Sequence, residues 1–260
     1  MTAHRLSGAL LKLDRAERHL AEFDHEAGRY LRSEPIHVET KTEALGGRRR
    51  RIVWAASATD DPPDVLGAIV GDWAQSTRAA LDYVVYELVR KATGVEDPRS
   101  TQFPVATTRG DYRSAQRRLD GVPAWARDVF EGLQPFNDAD EAEFHPLAIL
   151  VDISNRDKHR LVHTTALQVA GSQARLEGIS FVRLYGIRQS PGTIAAERII
   201  LDVDAELDGD DIRIAMDLQF TVGIEGYELP AGALMHTIAF EARSIVEWFA
   251  PALDEAGAAT

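Results

Sequence analysis

The side chains best suited to chemistry are concentrated in one segment, residues 151–163, which reads VDISNRDKHRLVH. The polar residues that share one helical face in this segment are Asp152, Asn155, Arg156, His159 and, if the helix continues that far, His163. Apolar residues flank this polar stripe on both sides, which predicts that it faces a protected internal cleft. The same helical wheel directs Asp157 and Lys158 outward, where substitution is expected to have little effect.

A second long helix is predicted between Pro63 and Gly94, and it carries Arg78 and Asp82 four residues apart. Buried charged groups need hydrogen-bonding partners, so this pair is the natural counterpart of the polar stripe. The sequence therefore predicts a polar cleft between the two helices. One interpretation of that cleft is purely structural, namely a satisfied polar network that fixes the register of the helices in an interaction protein.

A second interpretation is a binding pocket for a small anionic molecule or a nucleotide. A guanidinium group can hold a phosphate or a carboxylate through two parallel hydrogen bonds. The residues predicted to bind such a ligand are Arg78, Asp82, Asp152 and Arg160, with Arg156 as a further guanidinium. This is the leading functional interpretation.

A third interpretation is metal-independent RNA cleavage, which leaves open whether the protein is an enzyme. In it, His159 or His163 is the general acid or base, Arg156 or Arg160 stabilises the developing charge, and Asn155 orients the phosphate. The spacing of Arg156-Asp157 and His163 resembles that of the helical HEPN-type ribonucleases. In these an arginine is usually followed by Asn, Asp or His, with a histidine four to six residues beyond that pair. The resemblance implies a ribonuclease of the defence or toxin type.

Four strings resemble a family of uncharacterised actinobacterial proteins with R-x-x-L-D and N-x-D-K-H-R signatures. They are GDWAQSTRAALDYVVYEL, FPV, LQPF and SNRDKHRLVH, and together they cover much of the helical part of the chain. The resemblance implies a bacterial protein in which these strings belong together, without implying an activity.

A metal site is the remaining alternative. On a continuous helix, His159 and His163 present two imidazoles on one face, with Asp152 two turns earlier and His145 as a further donor. No third close ligand is evident, so neither a metal nor a cofactor is predicted. The motifs that bind phosphates through glycine loops, or zinc through H-E-x-x-H, do not occur in the sequence.

Composition restricts the class of protein. A formal net charge of −12 argues against general DNA binding or coating of nucleic acid. The absence of cysteine removes disulfides and thiolate nucleophiles. Lys12 and Asp14 interrupt the apolar positions of the N-terminus, and no apolar run approaches ~18 residues, so neither a signal peptide nor a membrane span is predicted. We therefore expect a soluble cytoplasmic protein.

Periodicity predicts the elements that position these residues. We expect an α+β protein in which a helical bundle packs beside a mainly antiparallel sheet, in a single domain spanning 1–260. Its predicted parts are a helix-rich region at about 1–160 with a β-hairpin at about 36–57, a β-rich region at about 161–224, and a C-terminal helix at about 232–254. A second hairpin is predicted around Asp208-Gly209-Asp210. The amphipathic first helix, expected to end near Gly28, and the last helix bury their stripes either inside the domain or in a homodimer.

The four arginines at the first hairpin turn, Arg48 to Arg51, have two interpretations. They form either a basic patch for phosphate or a solvated run of charges.

Overall fold

The computed structural model describes residues 5–99, 101–138, 141–168, 173–175, 181–190, 192–194, 197–207, 215–217 and 219–254. Its α-helices are α1 (Ser7–Arg32), α2 (Asp64–Thr93), α3 (Arg109–Ala115), α4 (Ala124–Gly132), α5 (Pro146–His159) and α6 (Ala231–Asp254). Its strands are β1 (Ile36–Gly46), β2 (Arg49–Ala58), β3 (Thr164–Gln168), β4 (Gln173–Arg175), β5 (Phe181–Gln189), β6 (Gly192–Thr193), β7 (Arg198–Leu207), β8 (Ala215–Asp217) and β9 (Phe220–Ile224). These elements confirm the predicted α+β class.

All the strand pairs in the described part of the chain are antiparallel. The strand orders are β1-β2-β7-β5, β6-β3-β9 and β4-β8. The pairing of β1 with β2 confirms the hairpin predicted at about 36–57.

The second predicted hairpin, which would pair the strands on either side of residues 208–210, is wrong. Strand β7 pairs with β2 and β5, whereas β9 pairs with β3. The proposed turn at 208–210 lies outside the described residues. Alternation of apolar and polar side chains identifies the two faces of a strand, but it carries no information on which strand lies beside it.

Contacts within the chain group it into two units. The first comprises Met1–Phe23, Gly67–Val162 and Leu234–Thr260, and the second comprises Asp24–Leu66 and His163–Ala233. The first unit holds most of α1, α2 and α6 and all of α3 to α5. The second holds the sheets. A single domain over the whole chain stays a prediction.

The first unit is built on the apolar stripes read from the sequence. The stripe of α2 is buried, from Val70 and Trp73 through to Leu88. The stripe of α6 is also buried, from Leu234 to Leu253, and so are Leu13 and Phe23 of α1. The apolar stripes of the first and last helices are therefore covered within the chain. None of the helices among the described residues is long and apolar enough to cross a membrane.

One helix end differs from the sequence prediction, because α1 continues through Gly28 to Arg32. Helix α5 ends at His159, in agreement with the helix-rich region predicted up to about 160. Helix α2 ends where predicted, at Thr93, because the following Gly94 adopts a positive φ of 72° that terminates the helix.

The arginines of the first hairpin are engaged within the second unit. Arg49 makes two hydrogen bonds to Asp204, and Arg51 makes two to Asp202, across the β2–β7 pair. Each guanidinium lowers the pKa of its aspartate partner. The pairing shows how two of the four arginines are balanced by carboxylates on the neighbouring strand.

Candidate functional site

One face of α2 organises the first unit. We call it the polar face of α2, and its members recur every three or four residues: Gly67, Gly71, Gln75, Arg78 and Asp82. This spacing places all five on one side of the helix. Gly67 contacts Leu161 and Val162, just after α5, while Gly71 and Gln75 contact the C-terminal half of α5. The last two contact the loop before α3.

The two glycines allow α5 and the segment that follows it to lie very close to α2. A Cβ atom at Gly67 would overlap the carbonyl oxygen of Val162, and a Cβ atom at Gly71 would overlap the carboxylate of Asp157. Residue numbers fall along α5 as they rise along α2, so the two helices are antiparallel. Glycine is needed at both positions because the space for a side chain is occupied.

Gln75 joins the same two helices by hydrogen bonds. Its Nε2 donates to the carbonyl oxygen of Ser154 at 2.9 Å and to Oδ2 of Asp157 at 3.2 Å, while Ser154 Oγ donates to its Oε1 at 3.3 Å. The outward orientation predicted for Asp157 is therefore wrong. Asp157 lies on the side of α5 that packs against α2. The helical wheel did not identify this side, because apolar residues flank the polar stripe in both directions.

Arg78 and Asp82 hold the backbone of the loop that precedes α3. Arg78 Nη2 donates to the carbonyl oxygen of Phe103, and the amide of Phe103 donates to Asp82 Oδ1 at 2.8 Å. The two side chains also pair, with 3.7 Å between Arg78 Nε and Asp82 Oδ1. The predicted pairing of these residues along the helix is confirmed. Their tertiary partner is a loop backbone and not the polar stripe of α5.

The environments of the two side chains differ. The Arg78 side chain is only 9% exposed, and burial lowers its pKa, although it remains a cation in practice. Its Nη1 is buried without a hydrogen-bond partner among the described residues. The Asp82 side chain is 32% exposed, and burial of the rest raises its pKa, against the opposing effects of Arg78, the Phe103 amide, Lys158 and Arg118.

Three cations from three elements thus act on one carboxyl group. Arg78 belongs to α2, Arg118 to the short 3-10 helix Gln116–Leu119, and Lys158 to α5. Arg118 and Lys158 are exposed, and Lys158 Nζ lies 3.4 Å from Asn155 Oδ1. This cluster (Arg78, Asp82, Arg118, Lys158) is the candidate site, and we call it the Asp82 cluster.

The polar stripe predicted on α5 faces outward. Asn155 and His159 are exposed, and Asp152 is paired with Arg156 at 2.7 Å on the helix surface. The predicted cleft between this stripe and Arg78–Asp82 is therefore wrong. The physical reason is that α5 buries a wide arc on the opposite side, which consists of Leu147, Ile149, Leu150, Ile153 and Ser154.

The end of α5 separates the two histidines. The helix stops at His159 with Arg160 extended after it, and His163 directly precedes β3. Arg160 and His163 are both exposed. The two histidines therefore do not lie on consecutive turns of one helix, as the metal-site alternative required. No group of three or more histidine or carboxylate side chains in the described residues is arranged to hold a metal ion.

A second polar side chain supports the same loop from the end of α4. Gln134 is 1% exposed, and its Oε1 accepts from the Ala106 amide at 2.9 Å. Its Nε2 donates to the carbonyl oxygens of Pro104 and Phe130 at 3.0 and 2.8 Å. One set of hydrogen bonds therefore holds the loop and joins three of the strings noted in the sequence, GDWAQSTRAALDYVVYEL, FPV and LQPF. We call this set of side chains (Arg78, Asp82, Gln134) the buried loop support.

The sequence interpretation missed Gln75, Arg118 and Lys158 as members of this region. For Gln75 a signal existed, since Gly67 and Gly71 precede it at four-residue spacing and mark a close helix contact. Arg118 and Lys158 carry no comparable signal, because an exposed cation acquires a role only through its position in space.

Models of known protein families, curated proteins and solved structures were all compared with this chain, and none of them matches it.

Proposed function

We propose that the protein binds a small anionic molecule, such as a phosphate-bearing metabolite or nucleotide, at the Asp82 cluster. The observation that supports this proposal is that Arg78 Nε lies 3.7 Å from the partly exposed Asp82 carboxyl group, on which Arg118 and Lys158, from two further elements, also act electrostatically. Convergent cations on different elements are typical of anion sites, because each alone is a solvated charge and together they form a local positive field.

The charge balance of the Asp82 cluster supports the same proposal. Its three cationic side chains outnumber its single carboxyl group. The site is thus locally positive on a protein whose formal net charge is −12. The buried Nη1 of Arg78 adds a donor with no partner among the described residues.

The proposal is tested by calorimetric titration of the protein with orthophosphate and with adenosine monophosphate. We expect Arg118→Ala and Lys158→Ala each to weaken binding about tenfold, because each removes one charge-assisted contact with the anion. Arg15→Ala is the matched control, since this exposed arginine of α1 is not among the residues that act on Asp82. Equal binding by all four proteins would contradict the location of the site, and no binding by the wild-type protein would contradict the function.

RNA cleavage is the second proposal, supported by the exposure of His159 and Asn155 on the same face of α5. In it, His159 serves as the general acid or base and Arg156 stabilises charge on the phosphate. Incubation with labelled RNA and a chelator is expected to give cleavage that His159→Ala abolishes and that His163→Ala also abolishes. RNA that stays intact with the wild-type protein would exclude this activity. Asp152 and Arg160, expected from the sequence to bind an anionic ligand, stay predictions and lie outside the Asp82 cluster.

A further inference from the structure

We infer that the anion taken by the Asp82 cluster is a protonated oxyanion of the phosphate type, which shares one proton with Asp82, and that the site discriminates against sulfate. This inference rests on the proposed function and names its ligand class. It follows from the second carboxylate oxygen of Asp82, Oδ2, to which no described residue donates, beside a group of cationic side chains.

The carboxyl group of Asp82 has one oxygen committed and one available. Oδ1 accepts from the Phe103 amide at 2.8 Å and lies 3.7 Å from Arg78 Nε. No described residue donates a hydrogen bond to Oδ2, and the side chain is 32% exposed. Oδ2 is therefore the carboxylate oxygen left for a ligand, while Oδ1 stays fixed by the loop backbone.

The buried guanidinium of Arg78 also lacks one acceptor among the described residues. Its side chain is more than nine-tenths buried and its Nη1 has no partner among the described residues, although Nη2 is bonded to the Phe103 carbonyl oxygen. A buried guanidinium donor without an acceptor is costly unless an acceptor is supplied. An oxyanion beside Asp82 supplies acceptors of the kind that a guanidinium prefers.

The chemistry of the ligand then decides which oxyanion is accepted. Sulfate near neutral pH carries only acceptor oxygens, so its oxygens and an ionised carboxylate repel each other. Hydrogen phosphate and protonated phosphomonoesters carry an O–H group, which donates to the carboxylate oxygen. In the phosphate complex, the proton shared with Asp82 is brought by the ligand. In the sulfate complex, Asp82 must first take up a proton from water.

The groups that face Asp82 are compatible with a shared proton. They are Arg78 on its own helix, the Phe103 amide in the loop, Arg118 in the 3-10 helix and Lys158 on α5. All four favour the ionised carboxylate, and burial opposes them strongly enough that the pKa of Asp82 is raised. The carboxylate is therefore a better proton acceptor than an ordinary surface aspartate.

The experiment measures phosphate and sulfate affinities of the full-length protein by calorimetry at constant ionic strength. We expect the wild-type protein to bind phosphate at least about tenfold more tightly than sulfate at pH 7. In Asp82→Asn the ratio is expected to fall to about twofold, because an amide can donate to either anion. Asp72→Asn, at an exposed position of the same helix, is the matched control and should keep the wild-type ratio.

A pH series on the wild-type protein tests the inference without any substitution. Between pH 7 and 9 sulfate affinity is expected to fall roughly tenfold per pH unit, since one proton is taken up, while phosphate affinity changes much less. Equal affinities for the two anions would overturn the inference and leave the proposed function standing. A wild-type ratio retained in a folded Asp82→Asn protein would also overturn it, and binding of neither anion would overturn the proposed function itself.

Discussion

Gly67→Ala is expected to lower the free energy of unfolding by about 2–4 kcal/mol, although alanine is the better helix former. In an exposed helix the same substitution stabilises by up to about 1 kcal/mol. Here the added Cβ would overlap the carbonyl oxygen of Val162, which is backbone and cannot rotate away. Either the segment after α5 moves off α2, or α2 distorts at its first turns. Thermal unfolding should show a decrease in Tm of roughly 5–15 °C.

The matched control is Gly28→Ala, which lies inside α1. The nearest atom to its added Cβ is Nη1 of Arg32 at 3.2 Å, the far end of a flexible side chain. We expect Gly28→Ala to leave the stability unchanged or to raise it by about 0.5–1 kcal/mol. A Gly67→Ala protein as stable as the Gly28→Ala protein would show that α2 is not in close contact with the backbone of Val162.

Gln134→Glu is expected to lower the free energy of unfolding by about 3–5 kcal/mol. The change is nearly isosteric and keeps an acceptor for the Ala106 amide. It removes the donor that serves the carbonyl oxygens of Pro104 and Phe130, and it places a carboxylate next to them. Burial raises the pKa of the introduced carboxyl above its usual ~4.3. The neutral acid can donate one hydrogen bond, so the loss of stability should be smaller at pH 5 than at pH 8.

Gln116→Glu is the control for a change of charge alone. Gln116 is exposed in the 3-10 helix, and a carboxylate there stays in water, so a change within ±0.5 kcal/mol is expected. Urea titration of both variants at pH 5 and pH 8 measures the difference. A Gln134→Glu protein with unaltered stability at pH 8 would contradict the buried loop support.

The sequence was sufficient where local periodicity decides the structure. The apolar stripes of α2 and α6 and the hairpin at 36–58 were predictable, because side-chain spacing along one element fixes which face is buried. The pairing of Arg78 with Asp82 was predictable for the same reason.

Tertiary partners were not predictable from spacing. Arg78 and Asp82 bind the backbone of Phe103, and a backbone carbonyl or amide looks the same in every residue. On α5 the polar stripe has apolar neighbours on both sides, so its spacing alone did not determine whether the stripe or Asp157 faces α2. The glycines at 67 and 71 hold that information on a different helix.

The loop from Phe103 to Ala106 has one further consequence. Its buried amides and carbonyl oxygens are satisfied by the side chains of Arg78, Asp82 and Gln134, where most loops rely on water. Loops usually accept inserted or deleted residues, because their backbone groups can find solvent in many arrangements. In this loop a change of length by one residue would displace each amide from its matched side chain. We therefore expect the length of this connection to be as fixed as that of a core helix.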